Sequence, residues 1–94
     1  MNLLIEKNRK NIQQIARQRG ICNVRLFGSM SRNDATDTSD VDLLVELEEG
    51  RSGLALGGFL QDVSDLLDRP VDVVTERALH PRIRERVLRE AVPL

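Results

Sequence analysis

Apolar residues recur at helical spacing in three parts of the chain. Between residues 2 and 19, apolar side chains three or four positions apart are separated by charged and amide residues, which predicts an amphipathic helix that Gly20 caps. A second helical stripe covers residues 56–67 and stops before Pro70. A third covers residues 80–92 and begins with a proline, which favours the first turn of a helix.

Three short apolar runs predict strands. Residues 22–27 alternate between apolar and polar side chains, and the runs at 41–46 and 71–75 are rich in branched aliphatic residues. A further short helix or turn is predicted at residues 30–35. Helices that alternate with strands indicate an α/β fold, in which helices pack on a small sheet.

Asp40 and Asp42 lie at the start of the second predicted strand. Side chains at positions i and i+2 share one face of a strand, so both carboxylates point the same way, and Val41, Leu43 and Val45 line the opposite face. Neighbouring carboxylates repel each other unless a cation lies between them, and Mg²⁺ prefers oxygen ligands of this kind. The pair therefore predicts a metal site. For an Asp-x-Asp taken alone, a solvated loop is the alternative.

A turn of small residues, Gly28 and Ser29, follows the first predicted strand. Glycine lets the backbone approach a ligand, and amides near a helix start can point at phosphate oxygens. A simple N-cap role for Ser29 is compatible with this one. Arg32 is interpreted as a phosphate contact, and its alternative is a surface salt bridge to Asp34 or Asp37.

Asp72 is the only acidic residue of the third predicted strand. A buried carboxylate is costly without a partner, so its place among valines needs an explanation. If the three strands share a sheet, Asp72 reaches the same ions as Asp40 and Asp42 and supplies a third carboxylate. The alternative is a position on an exposed edge.

The composition limits the class of protein. The chain has 94 residues, enough for one small domain spanning residues 1–94, and its two aromatic residues leave the core to Leu, Ile and Val. A net charge of −1 disfavours a general nucleic-acid binder, so we expect no direct binding of nucleic acid. Basic segments at both ends flank an acidic middle, which fits solvated helix faces, a partner surface or a phosphate-binding surface.

The remaining single residues indicate packing rather than chemistry. Cys22 is the only cysteine, so no intramolecular disulfide can form, and we expect it to pack in its strand. His80, the only histidine, is expected to cap a helix or to lie at the surface. No apolar run approaches membrane-spanning length and no signal peptide is recognisable, so we expect no membrane association and a cytoplasmic location.

Taken together, the motif residues resemble the signature of the polymerase-β-type nucleotidyltransferases. Within that superfamily, the short chain resembles the minimal nucleotidyltransferases, which are the antitoxin partners of HEPN-domain ribonuclease toxins. The likeness runs from about Val24 to Thr75 and more loosely to the end of the chain. The residues that carry it are Gly28, Ser29, Arg32, Ser39, Asp40 and Asp42.

The sequence departs from the family pattern at two positions. Ser31 stands where relatives usually have alanine, which exchanges one small residue for another. Asn33 stands where many relatives have glycine. Asparagine tolerates a left-handed backbone better than most other residues, so the resemblance is weakened there but kept.

The resemblance implies the fold, the reaction and the partner. The fold would be a small nucleotidyltransferase fold, with a short mixed sheet of about three to four strands packed against about three to four helices. The enzyme would depend on Mg²⁺ and transfer AMP from ATP to a hydroxyl group, expected to be a tyrosine, of a HEPN ribonuclease toxin. The toxin would thereby be inactivated.

The resemblance also implies roles for particular residues. Those that would bind the nucleotide are Gly28, Ser29, Arg32 and Ser39. Asp40, Asp42 and Asp72 would be catalytic and would hold two Mg²⁺ ions, which stabilise the leaving pyrophosphate and activate the incoming hydroxyl. Asp72 could accept the hydroxyl proton, and Arg32 would offset charge on the transferring phosphates.

Other functions remain open at this stage. A non-catalytic antitoxin would keep the fold and neutralise its toxin by binding, although the intact set of motif residues disfavours it. A small-molecule nucleotidyltransferase would keep the chemistry but usually carries a further helical domain. A metal-dependent nuclease would leave Gly28 and Ser29 unexplained.

Overall fold

The computed structural model describes residues 2–94 except 33, 35, 37 and 38. The expected end of the short helix at Ala35, the backbone tolerance of Asn33 and the surface position of Asp37 lie outside the described residues. The helices and strands, in chain order, are α1 (Leu3–Arg19), β1 (Ile21–Phe27), α2 (Ser29–Arg32), β2 (Val41–Leu47), α3 (Leu54–Leu67), β3 (Val71–Thr75), α4 (Pro81–Glu90) and β4 (Val92–Pro93). A single 3₁₀ turn, Glu76–Ala78, joins β3 to α4.

The ends of the helices follow their capping residues. The Asn2 side chain accepts a hydrogen bond from the Leu4 backbone N–H at 2.8 Å. Asn2 is therefore the N-cap of α1, and the helix begins at Leu3, one residue later than predicted. At the other end, Gly20 terminates α1 as predicted. The His80 side chain accepts a hydrogen bond from the Arg82 backbone N–H at 3.1 Å, which confirms the expected capping role.

The four strands form one mixed sheet in the order β3-β2-β1-β4. Strands β2 and β3 are parallel, whereas β1 is antiparallel to both β2 and β4. The α/β class and the short mixed sheet predicted for the chain are therefore confirmed. Among the described helices, none combines the length and apolar character required to cross a membrane.

The predicted last helix, residues 80–92, is too long. Helix α4 ends at Glu90, Ala91 is extended with ψ 131°, and Val92 pairs with Leu26 of β1. A residue before proline is disfavoured in the helical region and a proline has no N–H to donate, so Val92 and Pro93 favour an extended chain at a sheet edge. The fourth strand was not located from the sequence pattern because this segment had been assigned to the helix.

Helices cover both faces of the sheet. One face packs against α1 and α3 through the main core, to which Val41, Leu43 and Val45 contribute as predicted. The opposite face carries Leu44, which is fully buried by Leu79 and Val87 near α4. Asp42 and Leu44 are two positions apart in β2, so the predicted site lies on the face that α4 covers.

Candidate active site

Three strand ends meet at one edge of the sheet. Because β1 is antiparallel to β2, its carboxyl end lies beside the amino ends of β2 and β3. Phe27 pairs with Asp42, and Asp42 pairs with Asp72 across the parallel β2–β3 ladder. Paired residues on neighbouring strands are about 5 Å apart and share a face. The structure therefore places Asp42 between the Gly28 turn and Asp72.

The Asp42 carboxyl is partly buried and its pKa is raised above the ordinary value. Burial is the largest cause, because removing a carboxylate from water disfavours the charged form. The negative charges of Asp72 and Asp40 raise this pKa further, and the positive charge of Arg32 opposes them. The four residues thus lie within electrostatic range of one another.

Asp72 lies at the exposed edge that was considered as an alternative from the sequence. Its side chain is exposed, and β3 is an edge strand of the sheet. The parallel register nevertheless aligns Asp72 with Asp42.

The carboxylates are arranged as potential ligands rather than as a closed cluster. Among the residues that the structure describes, no three Asp, Glu, His or Cys side chains are gathered closely enough to enclose an ion. Like charges repel, and the exposed Asp40 and Asp72 are able to turn towards solvent. A set of oxygen donors with an exposed carboxylate on either side of Asp42 fits a hard divalent cation such as Mg²⁺, which approaches from solvent and keeps some of its waters.

Gly28 is required by the geometry of the turn. Its backbone has φ +75°, and a Cβ at this position would overlap Asp42 Oδ2 and lie 3.2 Å from Asp42 Cγ. The Gly28 carbonyl accepts hydrogen bonds from the Ser31 and Arg32 backbone N–H groups and from Ser31 Oγ at 2.8 Å. Ser31 thus supports the turn.

The other two motif serines lie on either side of the loop. Ser29 is the first residue of α2, where backbone amides lack intrahelical acceptors. The hydroxyl of Ser39 accepts a hydrogen bond from the Thr36 backbone N–H at 2.7 Å. Arg69 donates to the carbonyls of Thr36 and Ser39 at 3.1 and 3.3 Å. The sequence interpretation missed Arg69, which holds the segment that precedes Asp40.

Arg32 makes two ion pairs. Its Nε contacts Asp34 Oδ2 at 3.2 Å, which is one of the alternative contacts considered from the sequence. Its Nη1 donates to both carboxylate oxygens of Glu90, at 3.3 and 3.2 Å. Glu90 was missed because it lies 58 positions away in the sequence, on a helix whose charges indicate only a solvated face.

Two open grooves lie away from these residues. One, of about 720 Å³, is lined by residues of α1, β1 and the chain end, including Arg17, Cys22 and Arg25. The other, of about 600 Å³, is lined by the ends of β2 and β3 and by Arg84. None of the predicted site residues lines either groove.

The fold and this site define a class of enzyme, and comparison with known sequences identifies it. The sequence model of the family described as "Nucleotidyltransferase domain" matches residues 9–94. The chain therefore belongs to the nucleotidyltransferase domain family.

Individual relatives agree with that assignment. A Methanocaldococcus jannaschii protein, MJ0435, which has been assigned as a protein adenylyltransferase, is 38% identical over 88 residues, covering 94% of this chain and 95% of its own. A solved structure assigned as a minimal nucleotidyltransferase is 43% identical with a TM-score of 0.86, covering all of this chain and 97% of its own.

A toxin–antitoxin crystal structure is also similar. A chain in a mutant of the MntA–HpeT pair is 26% identical to this protein with a TM-score of 0.73, and the match covers 93% of this chain and 71% of the other.

Proposed function

We propose that this chain is a Mg²⁺-dependent protein adenylyltransferase that acts as an antitoxin. It transfers AMP from ATP to a hydroxyl group, which we expect to be a tyrosine, of a HEPN ribonuclease toxin and so inactivates that toxin. In this proposal residues 1–94 form one domain that acts in the cytoplasm without binding nucleic acid directly.

One observation carries the catalytic part of the proposal. Asp42 lies beside the Gly28 turn and is paired in register with Asp72, so the glycine turn and two of the carboxylates share one edge of the sheet. The pKa of Asp42 is raised by burial and then by the charges of Asp72 and Asp40, and the positive charge of Arg32 offsets only part of this. A bound cation would supply further positive charge.

The proposed roles follow from the positions of the side chains. Asp40, Asp42 and Asp72 would hold two Mg²⁺ ions, which when bound neutralise phosphate charge and lower the pKa of an attacking hydroxyl. The backbone around Gly28 and Ser29 would bind the nucleotide phosphates, and Ser39 would shape the loop that approaches them. Asp72, which is exposed on the edge strand, would accept the hydroxyl proton.

Arg32 would act on the phosphates rather than on the acceptor. Its positive charge lowers the pKa of Asp42, so the same charge would also attract a phosphate bound beside that carboxylate. A guanidinium presents several donors in a fixed plane and matches phosphate oxygens well.

The toxin partner and the choice of AMP rest on the relatives. One relative is assigned as a protein adenylyltransferase, and another belongs to a toxin–antitoxin pair. No residue of this chain identifies the acceptor. The exposed side chains of Asp40 and Asp72 support a macromolecular acceptor, because a large partner can reach exposed residues more easily than a cavity.

Transfer of labelled AMP tests the proposal. Purified protein is mixed with Mg²⁺, ATP labelled at the α-phosphate and the product of the adjacent gene, and the Asp40→Asn variant is compared with wild type. Loss of a ligand charge is expected to lower transfer by about a hundredfold or more. Asp65→Asn is the matched control, because Asp65 is exposed on α3 and contacts only Gln61 at 2.9 Å.

The two main alternatives give different results. Toxin that stays neutralised by Asp40→Asn, with no label transferred by either protein, would establish neutralisation by binding alone. Label that moves to a small molecule and not to the partner protein would establish a small-molecule nucleotidyltransferase.

A further inference from the structure

We propose that Glu90 is a positioning residue, which holds the Arg32 guanidinium beside Asp42 in an orientation ready for the nucleotide phosphates. This inference rests on the proposed function and assigns a role to a residue outside the sequence motif. Glu90 is not expected to touch the substrate itself.

The contact between the two side chains is well defined. Arg32 Nη1 lies within 3.3 Å of both carboxylate oxygens of Glu90, while Nε faces Asp34. The Glu90 side chain is 22% exposed, compared with 45% for Arg32, so the acid is the better anchored of the two. Nη2 makes no hydrogen bond to any residue in the described part of the chain, which leaves one end of the guanidinium for a ligand.

The backbone ties Glu90 to the same strand that carries the phosphate turn. Glu90 ends α4, and the next residue but one, Val92, pairs with Leu26 of β1, two residues before Gly28. The N–H of Leu94 then donates to the carbonyl of Val24 at 3.0 Å. The carboxylate is therefore fixed relative to the turn by strand pairing, which is more rigid than a surface loop.

A second cation flanks the acid. Arg86 Nε lies 4.0 Å from Glu90 Oε1, so Glu90 lies between Arg86 and Arg32. A charged Glu90 opposite Arg32 keeps the guanidinium from extending fully into solvent.

The same contact has an opposite interpretation. Glu90 could occupy Arg32 in place of a phosphate, and nucleotide would then have to displace it. In the observed arrangement, however, the Arg32 backbone N–H donates to the Gly28 carbonyl at 3.3 Å, and Gly28 adjoins the Asp42 carboxylate. Arg32 is thus at the turn already while its side chain is bound to Glu90, which favours positioning over competition.

Nucleotide binding and transfer by Glu90→Gln test this inference. The dissociation constant for ATP with Mg²⁺ is measured by calorimetry without an acceptor, and KM and kcat are measured by label transfer. We expect the dissociation constant and KM to rise about three- to tenfold, the effect of losing one partly exposed ionic contact, and kcat to change less than about twofold. Glu85→Gln, which removes the same charge from an exposed position of α4, should leave all three unchanged.

A double-mutant cycle separates positioning from a structural role. In an Arg32→Ala background, Glu90→Gln should cause no further loss of ATP affinity, because its effect passes through Arg32. Glu90→Asp keeps the charge on a shorter side chain and should give an intermediate affinity. The melting transition of each variant is followed by circular dichroism, and all affinities are measured below it.

Each contrary outcome has a distinct meaning. Tighter ATP binding by Glu90→Gln would establish competition, and an equal loss in the Arg32→Ala background would establish a structural role, so either would overturn the inference. Unchanged affinity in Glu90→Gln, with wild type active, would overturn the inference alone. A wild-type chain that binds no ATP would overturn the proposed function and this inference with it.

Discussion

Replacing Gly28 with alanine tests the arrangement on which the site depends. Gly28 has φ +75°, and an added Cβ would overlap the Asp42 carboxylate. Gly50 provides a matched control: its φ is +83° and a Cβ there would meet nothing within 4 Å. Both substitutions therefore carry a backbone penalty, but only Gly28→Ala also displaces a proposed metal ligand.

The two penalties can be separated in magnitude. A left-handed conformation costs a non-glycine residue roughly 1–2 kcal/mol, which applies to both variants. Moving the Asp42 side chain away from its rotamer adds roughly 0.5–1.5 kcal/mol for Gly28→Ala alone. We expect Gly28→Ala to lower the free energy of unfolding by about 1.5–3.5 kcal/mol and Gly50→Ala by about 1–2 kcal/mol.

Urea denaturation followed by far-ultraviolet circular dichroism measures these changes, because the chain has no tryptophan or tyrosine for fluorescence. Transfer of labelled AMP is measured in parallel at a temperature where both variants are folded. A displaced Asp42 should lower transfer by Gly28→Ala about tenfold or more, while Gly50→Ala keeps wild-type transfer. Equal stability losses and equal transfer rates in the two variants would refute the proposed contact between the turn and Asp42.

Two further predictions concern stability. Asp42 has a raised pKa in the fold, so the folded protein holds a proton that the unfolded chain has released, and stability falls as the pH rises from 3.8 through the raised pKa. Asp42→Asn should remove this contribution to the pH dependence and be more stable than wild type at neutral pH without divalent metal, and the difference in stability should vanish below pH 3.8. Thermal melts of both proteins across pH, with and without Mg²⁺, measure the difference. A stability difference that stays constant with pH would contradict the prediction. Gly57→Ala should raise the free energy of unfolding by roughly 0.5–1 kcal/mol, because a Cβ in that part of α3 meets nothing within 4 Å. In Gly58→Ala the added Cβ would lie 2.8 Å from Arg19 Nη1, so that guanidinium must shift and the gain should be smaller, and no gain in Gly57→Ala would contradict the prediction.

Local patterns predicted the elements well because each element depends on nearby residues. The helix that ends at Gly20, the strand Val71–Thr75 and the capping role of His80 all follow from spacing and capping chemistry over a few positions. The last helix was predicted to extend too far, because a local signal at its end was ignored. Pro93 disfavours a helical Val92, and β1 offers that segment a strand partner.

The exposure of Asp72 could not be predicted in the same way. A valine-rich strand with one acid is compatible with a central or an edge position, and the sequence does not give the order of the strands. The order β3-β2-β1-β4 places this strand at the edge. Only that order explains why Asp72 is both exposed and aligned with Asp42.

The sequence by itself determined the local chemistry: an aspartate near the start of a strand, a second one two positions before it, and a glycine turn after the preceding strand. Period-two geometry and the absence of a Cβ are properties of the residues themselves, so no partner is needed to predict them. The tertiary structure alone decided which distant groups join them, because strand register and helix packing depend on pairings across the whole chain. Asp72 reaches the site through a parallel ladder, and Glu90 reaches Arg32 because β4 pairs with β1.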